Sequence, residues 1–414
     1  MVIAVLSLVF SILFIWYSRD TSRTSWGYWA PFLLAAAALL CGLPVYRSTG
    51  RPGAASTHGA AHRGAAMEVT VRTASGPGTA PTPGAARARR VAVALGGNAL
   101  LRRGEAMTSE NQRVNVAVAC AQLAKIAAGV DLIVSHGNGP QIGLLALEGA
   151  AYKPVPPYPL DVLGAETQGM VGYLIELELR NRLGPTQSVA TVLTITEVDP
   201  SDPAFDAPSK PIGPQYSDAE AAELEREHGW RFARDGGRLR RVVPSPVPRR
   251  VLEADQIGAL LATGCVVVCA GGGGVPTARG TDGALTGVEA VVDKDQASAL
   301  LAQDLDADLL VMATDTAGEF LGFGTADQQL ISRAHPDALL KRYSAQFAAG
   351  SMLPKVAAAC SFVRATGREA VIGALADIEA LVDGSAGTRI SLDASGVSTA
   401  AAGTGHGTST NEEG

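Results

Sequence analysis

The chain has 414 residues, of which 47% are hydrophobic, 18% charged and 5% aromatic, with 47 Gly and a formal net charge of -6 at pH 7. That length suits two domains or one large α/β domain, and the composition excludes a collagen, a coiled coil and a disulfide-stapled fold. The acidic balance provides no basic footprint for nucleic acid, so an anionic small ligand would need a local cationic site. Cys41, Cys120, Cys265, Cys269 and Cys360 are odd in number and stand in apolar runs rather than in C-x-x-C pairs. That pattern predicts reduced, buried thiols in a reducing compartment.

Residues 1–47 contain two uncharged stretches, 1–18 and 26–46, each long enough to span a bilayer. Trp16, Tyr17, Trp26, Tyr28 and Trp29 stand where interfacial aromatics would. Two readings stand side by side: an N-terminal transmembrane hairpin anchoring a cytoplasmic catalytic domain, or a true start at Met67 or later. Residues 48–89 are rich in Gly, Ala, Pro, Thr and Arg with few large apolar side chains, as expected of a disordered linker. The Ser, Thr and Gly-rich end, 394–414, reads as a disordered tail.

Residues 90–393 alternate apolar runs with helical patterns. VAVAL (91–95), DLIVS (131–135), SVATVLTI (188–195), CVVVCA (265–270), DLLVMAT (308–314) and EAVIG (369–373) read as short buried strands. Their continuous rather than alternating hydrophobicity argues for a parallel sheet covered on both faces. Helices are expected at 111–128, 166–183, 251–263 and 355–366. The fold class is therefore α/β, a three-layer αβα sandwich of two lobes around a largely parallel sheet. Residues 199–249 interrupt the rhythm with a Pro-rich stretch followed by a surface helix, which Ser217 and Glu220 would open as a capping box. This segment reads as a small projecting lid subdomain.

Two glycine-bearing loops directly follow the first two strands. Gly96, Gly97 and Asn98 stand in ALGGNAL, and Gly137, Asn138 and Gly139 in SHGNGPQIG. Such loops expose N–H groups where a parallel sheet binds ligands, although a lone glycine turn is more often simple tight geometry. Neither a GxGxxG fingerprint nor a GxxxxGK[ST] loop is present, which disfavours a Rossmann dehydrogenase and a P-loop NTPase. Gly271, Gly272 and Gly273 belong to AGGGGVP, read either as a hinge or as a close backbone approach to a polyphosphate. Lysine is scarce. Lys125, Lys153 and Lys341 fit solvated positions, whereas Lys210, Lys294 and Lys355 lack an easy surface explanation. Lys294 lies between Asp293 and Asp295 in GVEAVVDKDQAS, with Asp293 a candidate helix cap, and Lys355 follows Pro354 at an expected helix start, where the dipole favours an anion.

In order, ALGGNAL, IVSHGNGPQIG, PLDVLGAETQGMVGYLI, SKPIGPQY, VVPSPVP, AGGGGVP, GVEAVVDKDQAS and GSMLPK resemble the carbamate kinases of the amino acid kinase family, over about three-quarters of the chain. The resemblance implies phosphoryl transfer between ATP and carbamate, giving ADP and carbamoyl phosphate, with Mg2+ and a homodimeric assembly. It further implies a place in arginine catabolism, with ATP formed. Lys210 would reach over carbamate and the transferring phosphoryl group, Lys294 and Lys355 would neutralise phosphate oxygens, and Asp295 would position the lysines. Gly96, Gly97, Asn98, Gly137, Asn138 and Gly139 would surround the carbamate and γ-phosphate. Gly271, Gly272, Gly273, Thr314 and Lys355 would serve the nucleotide. No protein-held metal site is expected. The chain departs from the family at Gly318, where an aromatic residue is usual. A kinase of another small carboxylate and a catalytically silent nucleotide-binding relative remain as alternatives.

Overall fold

A computed structural model describes residues 87–399 apart from 98, 99, 103, 153, 236, 345, 346 and 348–351. The predicted hairpin at 1–47, nearly all of the linker and most of the tail lie outside the described residues. Among the described residues no helix is long and apolar enough to cross a membrane.

The first elements are β1 (Arg90–Leu95), α1 (Ser109–Ala127), β2 (Asp131–His136), α2 (Gly139–Ala151), α3 (Leu160–Leu183) and β3 (Val189–Thr191). Next come β4 (Ile195–Val198), β5 (Lys210–Tyr216), α4 (Asp218–His228), β6 (Arg231–Asp235), β7 (Arg238–Val243) and β8 (Pro248–Val251). They are followed by α5 (Ala254–Ala262), β9 (Val266–Val268), β10 (Val275–Arg279), β11 (Leu285–Gly287), α6 (Lys294–Asp304) and β12 (Leu309–Thr314). The last are β13 (Phe320–Leu321), β14 (Gln329–Ala334), α7 (Pro336–Tyr343), α8 (Met352–Thr366), β15 (Glu369–Ala374), α9 (Ile378–Asp383), β16 (Thr388–Ile390) and β17 (Val397–Thr399).

The central sheet runs β13-β14-β16-β15-β12-β1-β2-β9-β3, with β17 beside β14. Every pairing from β15 to β3 is parallel. Successive side chains of a strand face opposite ways, and this sheet buries both sets. Ala92 and Ala94 of β1, with Leu310 and Met312 of β12, meet α5, α6, α7 and α8. Val91, Val93 and Leu95, with Leu309 and Val311, meet α1, α3 and α9. Two buried faces explain the continuous apolar runs, and the result is the expected three-layer α/β architecture.

Several boundaries differ from expectation, each for a local reason. The run 188–195 is two strands in two sheets rather than one. At Thr194 the backbone leaves the ladder: its N–H donates to Gln168 Oε1 and its carbonyl accepts from Gln168 Nε2, both at 2.9 Å. The helix expected at 166–183 starts earlier, at Leu160, whose N–H donates to Glu289 Oε1. Val251 belongs to β8, so α5 starts only at Ala254, and α8 starts at Met352. Pro354 therefore falls in the first turn of α8, where a missing N–H costs nothing, and Lys355 lies one residue further in. Folded structure also reaches past both predicted ends. Arg87 and Arg89 are bonded to Asp308 and to the Val382 carbonyl, and β17 covers part of the edge of β14.

The segment expected to be Pro-rich and then helical is instead chiefly a three-stranded antiparallel sheet, β5-β7-β6, accompanied by α4. The predicted capping box is present on α4, and Gly229 ends the helix in the left-handed conformation. Pro248 already belongs to the other small sheet, β11-β10-β4-β8. The β5 strand packs on α2 so closely that a Cβ built on Gly143 would lie 2.0 Å from Gly213 Cα.

Candidate active site

Open α/β sheets bind ligands beyond the C-terminal ends of their parallel strands, and β1, β2, β9 and β12 end together here. Gly96 N–H donates to Ala313 O at 3.1 Å, tying the loop after β1 to the end of β12. A Cβ on Gly137 would lie 3.8 Å from Gly97 Cα and 3.9 Å from the Lys294 Cδ, so the two glycine loops and Lys294 share one crevice. Gly139 is the first residue of α2 and Asn138 its cap position. The Asn138 amide Nδ2 donates to Thr167 Oγ1 at 2.9 Å, which fixes the loop from behind. Asn98 lies outside the described residues.

At the start of α6 a cluster of charges is buried. Lys294, Asp295 and Lys355 are 9%, 7% and 6% exposed. Lys355 Nζ donates to both oxygens of Asp295, at 3.0 and 3.2 Å. Lys294 Nζ stands 2.9 Å from Asp295 Oδ1, an ion-pair distance without hydrogen-bond alignment. A buried ammonium short of acceptors is a donor awaiting an anion. Burial, together with the nearby Lys355 charge, pulls the Lys294 ammonium down to about 8 even though Asp295 opposes the shift. Burial disfavours ionised Asp295 as well, but the two ammonium groups outweigh it and hold the carboxyl below its usual range.

Asp293 does two jobs. Its Oδ1 accepts from the N–H groups of Asp295 and Gln296, capping α6, and its Oδ2 takes the Lys210 ammonium from β5. The structure thus brings Lys210, Lys294, Asp295 and Lys355 to one place, with Lys210 arriving through Asp293. Asp293 carried only a capping role in the sequence, although its place in the charged string pointed to more.

The four-glycine run is neither a hinge nor an open loop. Gly271, Gly272 and Gly273 are buried, and a Cβ on Gly272 would lie 2.1 Å from Asn138 Nδ2, while one on Gly271 would meet the His136 ring at 2.5 Å. Gly272 and Gly273 also have φ of 62° and 91°, which favour glycine. These residues form the floor under the loop after β2. Thr314 sits at the end of β12 and donates to Asp315 Oδ1 at 3.1 Å.

Two buried groups had no signal in the sequence. The His136 Nδ1 donates to Gly137 O at 3.0 Å, and burial lowers its pKa to about 4. Glu319 is 1% exposed, its Oε1 lacks a hydrogen-bond partner, and burial pushes its pKa up to about 8 against the pull of Lys355. Near the departure at Gly318, the rings of Phe320 and Phe323 lie 5.8 Å apart.

Residues 89–374 match the amino acid kinase family. A carbamate kinase of Haemophilus influenzae is 55% identical over 309 residues, which cover 75% of this chain and 99% of the relative. A carbamate kinase of Rhizobium meliloti is 56% identical over 304 residues, 73% of this chain and 93% of the relative. The solved carbamate kinase of Giardia lamblia bound to AMP-PNP is 37% identical, with a TM-score of 0.67 over 73% of this chain and 98% of its own. The charged crevice, the sheet that carries it and these relatives agree, and the chain belongs to the carbamate kinases of the amino acid kinase family.

Proposed function

We propose that the chain transfers a phosphoryl group reversibly between ATP and carbamate, and that the buried Lys294-Asp295-Lys355 triad carries the reaction. In the forward direction a carbamate oxygen attacks the γ-phosphorus in line with the leaving ADP oxygen. The new O–P bond forms as the old one breaks, so alignment and charge stabilisation dominate catalysis. Lys294, whose ammonium lacks an aligned acceptor, meets the equatorial phosphoryl oxygens. Lys355 meets the β–γ side of the nucleotide while Asp295 keeps both lysines charged and in place. Lys210 closes over carbamate when β5 and its sheet bring it inward, acting as a lid that excludes water. The N–H groups of Gly97 and of Gly137 to Gly139 would face the acceptor, whereas that of Gly96 is taken by Ala313 O and serves to position the loop. Gly271 to Gly273 act indirectly, by backing the loop that holds Asn138.

Among the described residues no group of three or more His, Cys, Asp or Glu gathers into a candidate metal cage, and Asp295 faces two ammonium groups. In this reading Mg2+ would enter with the nucleotide as part of the MgATP or MgADP substrate and would screen phosphate charge there. We assign the ATP-forming direction, in arginine catabolism, to this chain. Support comes from the high transfer potential of the carbamoyl phosphate anhydride. A cytoplasmic catalytic domain and a homodimer belong to the same reading.

The test is ATP formation by the purified full-length protein from MgADP and carbamoyl phosphate, with Lys355→Ala alongside. Loss of one preorganised donor costs on the order of 10²–10³ in kcat, and that drop is expected for the variant. Equal rates in the two proteins, or greater activity on acetylglutamate or aspartate than on carbamate, would refute the assignment.

A further inference from the structure

Away from the charged crevice, a cavity of about 150 Å³ opens where the β5-β7-β6 sheet meets α2 and α3. Its polar lining is Arg241 of β7, Glu289 and Tyr158, and its walls include Trp230, Leu160 and Leu163. Arg241 stacks on Trp230 with the guanidinium carbon 3.9 Å from the ring centroid. Stacking occupies the face of a guanidinium and leaves its edge donors for a planar acceptor. Among the described residues no carboxylate pairs with Arg241. Burial lowers its pKa to about 10, against the opposing influence of Glu289 and Tyr216. Glu289 Oε1 accepts from the N–H of Leu160 at 3.0 Å, and among the described residues its second oxygen has no hydrogen-bond or ion-pair partner.

One cation and one carboxylate thus face the same cavity without meeting. An unpaired, partly desolvated guanidinium is costly, and a ligand carboxylate would offset that cost. The opposing Glu289 argues against a dianion such as a phosphate ester, and favours a ligand that brings its own positive charge. The local charges sum to zero, as do those of a zwitterion, and the Leu163 wall accepts a small apolar body. We propose that this cavity is a binding site for a small apolar α-amino acid, its carboxylate on Arg241 and its ammonium on Glu289. The occupant would join the β5-β7-β6 sheet to α2 and α3, and Glu289 lies only four residues before Asp293 in the sequence.

The experiment is calorimetric titration of the full-length protein with L-alanine and L-leucine, with propionate and isobutylamine as half-ligands. Saturable binding of an amino acid, at least tenfold tighter than either half-ligand, is expected, as is a tenfold or greater loss in both Arg241→Gln and Glu289→Gln. Should Arg241→Gln fail to fold, Glu289→Gln and the ligand-induced rise in the wild-type Tm carry the test, since a ligand of the native state alone raises Tm with its concentration. No binding of either amino acid, propionate binding as tightly as alanine, or unchanged affinity in Glu289→Gln would each overturn the proposal. None of these readouts involves phosphoryl transfer, so they stand apart from the test of the kinase reading.

Discussion

In the proposed reaction Lys294 must be charged to meet a phosphoryl oxygen, yet its burial brings its pKa to about 8. In the free enzyme kcat/KM for the nucleotide should therefore fall as pH rises through about 8. Lys294→Arg, whose guanidinium keeps its proton, should be slower but lack that limb, and an identical limb in the variant would remove Lys294 as its source. Glu319 acts on stability instead. Its folded pKa of about 8 lies above the ordinary 4.5, so the fold retains a proton that the unfolded chain releases. The stabilisation is complete below about 4.5 and is lost as pH rises through about 8. Glu319→Gln should gain on the wild type by on the order of a few kcal/mol between pH 5 and pH 8 in thermal unfolding. Parallel curves would contradict this. The lysines were legible in the sequence because a scarce residue type recurs within apolar strings. Glu319 and His136 were not, because their chemistry comes from what packs over them, and a single carboxylate or imidazole in a strand-like run has no local mark of burial.

At the scale of elements, the strands of the parallel sheet were readable because burial on both faces writes an unbroken apolar run. The split at Thr194 was not. It depends on Gln168, more than twenty residues away in sequence, whose amide takes the Thr194 N–H and shares its carbonyl with the Val275 N–H as the chain passes from one sheet to the other. The β5-β7-β6 sheet was hidden for another reason: it is small and only partly buried, with β6 mostly exposed, so Lys, Arg and Pro dilute its pattern. Its docking on α2 depends on two glycines. Gly213 has φ of 69°, and a Cβ on Gly143 would overlap its backbone. Gly143→Ala should push β5 from α2 at a cost of about 1–3 kcal/mol, typical of overpacking. It should also lower activity, since Lys210 opens the same strand. Wild-type Tm and kcat/KM together in the variant would show that this contact is dispensable.

For the whole molecule, both major hydrophobic clusters draw their buried residues from positions 91–390. Carbamate kinases match this chain over nearly their full length with just over 300 of its residues. A fragment of residues 87–399 should accordingly unfold cooperatively and retain the kcat/KM of the full chain, as circular dichroism and the ATP-forming assay would establish. Loss of cooperative unfolding would mean that the flanking segments complete the fold. Formal charge said little about the ligand, because three lysines gathered by distant elements decide the local field whatever the chain's total. The Asp293 carboxylate has a consequence for those three. Its one oxygen is already satisfied by the backbone of α6 while the other holds Lys210. In the proposed reaction, a substrate oxygen that takes Lys210 from Asp293 would leave the carboxylate still held through its other oxygen by two N–H groups of α6, so the hand-over need not unfasten the start of that helix.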